Sequence, residues 1–240
     1  MPKHMTNQDY KNAALAALKG KWAPAVLASV VLILLMAPYM GVSFYPTLAA
    51  LPPETMMGPL FLSISGVSFL YLLLLFVPME LGYVNACRTL LLTGDDRLTG
   101  NMFQIGFSHW FRFSWGYILM EIKILLWTFV FFIPGFIKAF AYALTPFLLV
   151  DCPELSALQC IKLSNRMMKG HKFDLFYLYL SFIGWGLLCI LTLGIGFLWL
   201  IPYMQTATAA FYEDVKKQYQ DGIEGNAPAA PVDDASPAGN

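Results

Sequence analysis

The sequence predicts an all-α polytopic membrane protein: six transmembrane helices arranged as three repeated helical hairpins, with amphipathic helices at the cytoplasmic interface. Three observations lead there. Hydrophobic residues fill 58% of the 240 positions and charged residues only 12%, against about a quarter in soluble domains. The apolar residues gather in runs close to the ~20 residues a helix needs to cross a hydrocarbon core. Lysine and arginine collect on one side of those runs. Fifteen basic and fifteen acidic residues cancel, so net charge alone argues for no partner.

A single membrane domain occupies 1–220 and a tail 221–240. The first element, 7–20, opens with Thr6 and Asp9 at capping-box spacing, carries Leu15 and Leu18 on its apolar side and stops at Gly20. Span one, 22–40, follows Trp22. The polar segment before it is too long for the n-region of a signal peptide, so it is read as a mature helix. Span two covers 60–80. The stretch SHWFRFSWG, 108–116, leads through Trp110 into span three, 112–133. Ile133-Pro134-Gly135 divides that span from span four, 135–150, because proline cannot donate within a helix and glycine permits the turn. A five-span reading, with 113–150 partly re-entrant, is the alternative.

A second cytoplasmic helix, 153–170, is expected to open at Asp151 as N-cap, with Pro153 in its first turn and Glu154 at the box position, and to close on Gly170. Leu155, Leu158 and Ile161 recur at helical spacing, with Lys162, Arg166 and Lys169 elsewhere on its surface and Lys172 just beyond. Spans five, 173–191, and six, 194–212, are divided near LTLGIG, 191–196. The tail, DGIEGNAPAAPVDDASPAGN, has no apolar periodicity and reads as disordered and cytoplasmic.

Orientation comes from the basic residues. Lys3, Lys11, Lys19 and Lys21 precede span one. Arg88, Arg97 and Arg112 lie between spans two and three; Lys162, Arg166, Lys169 and Lys172 between four and five; Lys216 and Lys217 after six. The opposite connections, 41–58 and the turns near 134 and 193, contain none. Both termini are therefore expected in the cytoplasm.

Repetition organises the chain. KGKWAPAVLASV at 19–30 and KGHKFDLFYLYLSF at 169–182 share a glycine stop, basic residues, an aromatic anchor and an apolar run, and 108–116 is a degenerate third copy. Trp22, Trp110 and Phe173 are the anchors. Proline-led second helices start FVPMELGY at 76, FIPGFIKA at 132 and LIPYMQTA at 200. The basic helices are expected either in the headgroup region facing anionic lipid or packed on the protein's own cytoplasmic face.

No Walker loop, HExxH or GxSxG is present, and GIG at 194–196 lacks the context of a dinucleotide fingerprint. His109 and His171 read as interfacial polar residues. Cys87, Cys152, Cys160 and Cys189 read as reduced thiols, with no zinc spacing. No cofactor, metal or nucleic acid is expected. Charges inside the spans are the remaining signal: Glu80, Glu121, Lys123 and Lys138, each costing about 2.5–3.5 kcal/mol at mid-membrane. Glu121 and Lys123 point to opposite sides of one helix and need partners elsewhere. Glu80 and Tyr83 on span two, Lys138, Tyr142 and Thr145 on span four, and Gln205, Thr208 and Tyr212 on span six recur at helical spacing. They are expected to converge on a central polar seam in which Glu80 pairs with Lys138.

IPGFIKAFAYALTPFLLVDCPELSALQCIKLSNRMMKGHKFDLF and IPYMQTATAAFYEDV, with LKGKWAPAV and PMELGY upstream, closely resemble bacterial integral membrane proteins of domain of unknown function 975, over about residues 7–217. The resemblance implies a bacterial cytoplasmic membrane protein. It supplies no activity and no binding residues. The residues favour a non-enzymatic scaffold or envelope-associated factor, with a small-solute or ion transporter as the rival and a membrane enzyme third.

The charge asymmetry makes a direct prediction. Single cysteines placed in the 41–58 loop should react with an impermeant reagent outside intact cells, and cysteines near 95 and 160 should not. External labelling near 160 would reverse the topology.

Overall fold

Proline, glycine and burial together explain where the helices begin and end. The computed structural model describes residues 5–48, 58–130 and 132–225, so most of the tail and the centre of the 41–58 loop lie outside the described residues. The helices are α1 (Asn7–Leu18), α2 (Trp22–Leu48), α3 (Pro59–Tyr71), α4 (Val77–Thr93), α5 (Leu98–Ser108), α6 (Trp110–Val130), α7 (Phe132–Tyr142), α8 (Thr145–Asp151), α9 (Ala157–Met167), α10 (Lys172–Leu180), α11 (Ile183–Leu191) and α12 (Phe197–Gly225). No strand occurs among the described residues. Among the described residues four segments are long and apolar enough to cross a bilayer: Trp22–Val42, Leu62–Thr93, Ile133–Asp151 and Lys172–Leu191.

Between α3 and α4 the chain stays helical but widens. Pro78 has no N–H for the carbonyl four residues back, and a π-segment, Leu72–Phe76, precedes it, with the Val77 N–H reaching Leu72 O. Ser114 Oγ of α6 donates to Leu73 O at 2.7 Å within that segment. The turn between α11 and α12 uses positive φ at Leu193 (54°) and Gly194 (89°), as the glycine-containing break near 193 predicts.

Several boundaries differ from the sequence expectation. The helix α5 is unannounced by the sequence reading. The predicted spans 135–150 and 173–191 are each broken, at 143–144 and 181–182. Asp151 ends α8 and does not cap the next helix. Ser156 caps α9 through a box with Gln159, leaving 152–155 as a turn. The last helix runs on through Pro202 to Gly225, past the boundary placed at 220. The Thr6–Asp9 capping box on α1 is present, and Gly20 and Gly170 adopt positive φ where the stops were expected.

Helix α4 is the hub. Buried almost continuously from Val77 to Cys87, it touches α1, α2, α5, α6, α8 and α12. Its contact with α5 is backbone on backbone. A Cβ at Gly82 would overlap the Met102 carbonyl oxygen, and one at Gly106 would lie 2.7 Å from Pro78 O. Small residues permit this approach as they do between membrane helices.

Helix α1 lies against α12 through Tyr10, Ala14 and Leu18. The Tyr10 ring meets Phe211 edge-on at 5.5 Å, and its hydroxyl donates to Asp214 Oδ2 at 2.6 Å. Burial and that carboxylate push the phenol well above its ordinary range. Lys11 Nζ donates to Ser181 O at 3.1 Å and sits over the Phe182 ring. The buried face of α9, Ala157, Cys160, Ile161, Ser164 and Met167, likewise packs on the protein, and Ser164 Oγ donates to Ala141 O at 2.9 Å. Both α1 and α9 therefore spend their small apolar faces on the fold.

Much of the remaining surface is apolar. Leu34, Val67, Leu125, Leu191 and Ile195 are exposed, and Phe129 and Leu193 are 91% and 95% exposed. These residues lie on α2, α3, α6, α11 and the turn before α12. Patches this continuous on a water-facing surface drive association; facing lipid tails they carry no such penalty.

The α4–α5 contact yields a paired prediction. Gly82→Ala should destabilise the folded protein by about 1–3 kcal/mol, as overpacking does. Gly100→Ala, with nothing within 4 Å of its added methyl, should be neutral or slightly stabilising. Thermal melts of the purified protein in detergent distinguish them.

Candidate functional site

A charged residue follows each of the three repeat prolines by ten to seventeen positions. Arg88 lies ten residues past Pro78, Asp151 seventeen past Pro134 and Glu213 eleven past Pro202, by the numbering. The fold brings the three together. Arg88 Nη1 donates to Asp151 Oδ1 and its Nε to Glu213 Oε1. The second oxygen of Asp151 accepts from Tyr212 OH at 2.7 Å and from Lys216 Nζ at 2.5 Å. The Tyr212 ring stacks on Phe147 with centroids 4.6 Å apart, and Arg88 and Lys216 lie over it at 5.1 and 5.6 Å. One guanidinium thus ties α4 to α8 and α12.

The side chains of Arg88 and Asp151 are only 14% and 11% exposed, so their charges are largely withdrawn from water. Such groups are tolerable only when paired and fully hydrogen-bonded. Here two positive and two negative charges balance, and both Asp151 oxygens are occupied. The arrangement holds helices together.

A second arginine supports it from α6. Arg112 Nη2 donates to Cys152 O at 2.7 Å and to Leu155 O at 2.8 Å, and Nη1 donates to Pro153 O. It gathers the carbonyls that follow the end of α8, as basic side chains do at helix C-termini. This explains the Asp151 correction: its carboxylate turns into the ionic cluster while Arg112 organises the turn. Cys160 Sγ lies 3.7 Å from Arg112, and burial pushes its thiol up.

The expected polar seam is dispersed. Tyr83 shares a hydrogen bond of 2.8 Å with Ser29 of α2. Tyr142 packs with Met120, Ala141 and Ile161, while Thr145 is buried on α8. Thr208 donates to Tyr179 OH at 3.4 Å, and Gln205 is half-buried. Only Tyr212 joins the ionic cluster. Glu80 and Lys138 form no ion pair. Lys138 Nζ sits over the Trp127 and Tyr142 rings at 5.0 and 5.9 Å, and Glu80 lies near Glu121 with the Tyr117 hydroxyl beside both. Two things keep them apart: α7 packs on α6, α9 and α10 while α4 packs on α1, α2, α5, α6, α8 and α12, and offsets of two and four from their prolines differ by about 200° of helical rotation.

Of the other expected residues, Lys123 is half-buried. Trp110 and Phe173 are exposed. Trp22 lines an apolar cavity of about 460 Å³ together with Leu15, Trp185, Trp199 and Tyr203. Lys162, Arg166 and Lys169 are exposed on or just beyond α9, with Lys172 half-buried. Among the described residues no three His, Cys, Asp or Glu side chains gather to hold a metal. What sequence reasoning missed was the ionic cluster, although a charge beyond each repeat proline was the available signal.

Replacing Arg88 with Met should strand Glu213, leave Asp151 only Lys216 and Tyr212, and cost about 3–5 kcal/mol. Lys216→Met should cost much less, because Asp151 keeps Arg88 and Tyr212. Denaturant titration in detergent checks the difference; equal losses would show that the cluster is not organised around Arg88.

No curated protein and no solved structure matches the chain. Residues 68–219, from the middle of α3 to well within α12, match the family described as Protein of unknown function (DUF975). The match is narrower than the 7–217 suggested by the motifs and leaves α1 and α2 outside it, while it contains every member of the ionic cluster. Because it spans more than half of the sequence, the chain belongs to the DUF975 family.

Proposed function

We propose that this chain is a non-enzymatic multipass scaffold or envelope-associated factor of the bacterial cytoplasmic membrane, built from three hairpins and six spans with both termini cytoplasmic. Helix α6, 21 residues long, reaches about 31 Å at helical rise, enough for a span, and α12 supplies the sixth. The pairs α2–α3, α6–α7 and α11–α12 are each in contact, and α1, α5 and α9 each precede one of them. The basic residues support the orientation, and anionic headgroups are the expected lipid partners.

The observation that carries the reading is the filled interior. Tyr83 and Tyr212 are 0% exposed, Thr208 is 4% exposed, and each is hydrogen-bonded to a protein side chain. Polar groups that serve one another hold helices together and offer a solute nothing. The rival reading, a small-solute or ion transporter, draws on Glu80 and Glu121, two neighbouring carboxyls within the spans.

Water access separates the two. In a cysteine-free background, a cysteine at position 83 should resist a small water-soluble thiol reagent in the folded protein and react after denaturation. Cysteines at 80 and 138 should react slowly. Rapid labelling of all three from one membrane face would mean a hydrated pathway and would favour transport.

A further inference from the structure

We infer that the junction of α9 and α10 binds one anionic phospholipid, its phosphate held in a basic groove against α12 and an acyl chain laid along α7. The inference rests on the membrane reading above and deepens it from general attraction to one built site.

The first half of the site is a groove of about 420 Å³. Arg166, Lys169 and His171 line one side, and Gln218 and Tyr219 of α12 the other. No carboxylate lines it. Among the described residues, Arg166 and Lys169 are in no ion pair. Two carboxylates reach lining residues from outside the groove: Asp174 Oδ2 lies 3.3 Å from His171 Nδ1, and Asp214 Oδ2 accepts from Gln218 Nε2 at 3.0 Å. Nor are these cations needed for folding: α9 packs through its opposite face, and Arg166 and Lys169 stay exposed. With the Gln218 amide engaged by Asp214, the Tyr219 hydroxyl is the donor that α12 offers to phosphate oxygens.

The second half starts one residue later. An apolar groove of about 170 Å³ is lined by Phe136, Ile137, Phe140, Lys172, Phe173 and Phe176. Its floor is rigid: Phe136, Phe140 and Phe176 meet edge-on, with centroids 5.0–6.2 Å apart. Its only charged member is Lys172. Phe173, 73% exposed, stands at its mouth. Gly170, at φ +90°, turns the chain sharply between α9 and α10.

The two grooves meet along 169–173, with Lys169 and His171 lining the first and Lys172 and Phe173 the second, and that adjacency selects the ligand. A free phosphate would use only the first groove, leaving the second without an occupant. A phospholipid uses both, with its phosphate among Arg166, Lys169, His171 and Lys172. Both apolar walls belong to segments apolar enough to span the bilayer, Ile133–Asp151 and Lys172–Leu191, so the groove opens toward lipid. A zwitterionic headgroup would bring a cation to a groove that has cations and no carboxylate, so the anionic class is preferred.

The test uses the full chain purified in mild detergent, titrated with phosphatidylglycerol, phosphatidylcholine or inorganic phosphate, with binding and melting temperature both read. Wild type should bind phosphatidylglycerol in preference to phosphatidylcholine, and millimolar phosphate should not compete. Arg166→Gln with Lys169→Gln should weaken phosphatidylglycerol at least about tenfold and leave the lipid-free melting temperature unchanged. Ile137→Trp, filling the apolar groove, should weaken long-chain lipid more than a short-chain analogue. Arg166→Lys should retain most binding. Unchanged binding in the double variant, equal binding of phosphatidylcholine, or full competition by phosphate would each overturn the site. Failure of the membrane reading is seen separately, as release of the chain from membranes by alkaline carbonate.

Discussion

One guanidinium decides how the helices end. Arg88 reaches from α4 to the carboxylates of Asp151 on α8 and Glu213 on α12, and those contacts fix the relative height of three helices that are distant in sequence. Bringing these charges out of water is unfavourable unless every one is answered. The cluster meets that condition by using both oxygens of Asp151 and by setting the Tyr212 ring between Phe147 and the cations. The rest of the body then has little freedom. Phe147 is held against Tyr212, the turn after α8 is gathered by Arg112, and α9 leaves that turn with its buried face already aimed at Ala141.

The same economy governs the hub. In lipid, burying apolar surface drives nothing, so helices associate through close backbone contact and hydrogen bonds. Gly82 and Gly106 supply the first between α4 and α5, and Gly135, whose Cβ would fall 2.6 Å from Thr128 Cα, supplies it between α6 and α7. Ser29 with Tyr83, Tyr71 with Leu35 O at 2.7 Å, and Asn85 with Pro146 O at 3.1 Å supply the second. The buried interior consists of these contacts and aromatic packing, while leucine, isoleucine and phenylalanine are turned outward in large number. A lipid site at the edge of such a body follows the same logic: the cations of α9 are left outside because nothing within needs them.

Much of this was legible in the residues. The capping box at Thr6, the stops at Gly20 and Gly170, and the break near 193 depend on local backbone rules, which act within a few residues. The all-helical, lipid-compatible class follows from composition and from the length of the apolar runs. Helix α5 escaped because LTGNMFQIGFS carries two glycines and no capping signal; it is held by α4, and its glycines, poor for an isolated helix, are what that contact requires.

What only the tertiary structure decided is which polar groups meet. Sequence spacing set Glu80, Lys138 and Tyr212 at comparable places on equivalent helices, and suggested that they converge. It does not contain the rotation of each helix about its axis, and a difference of two residues reverses a side chain's direction. That rotation sent Lys138 onto Trp127 and Tyr142, left Glu80 beside Glu121, and brought Arg88, Asp151 and Glu213 together in their stead. Local chemistry determined the elements by itself; the partners of each charge were settled only when packing chose the faces, because desolvation makes every buried ion depend on groups far away in the chain.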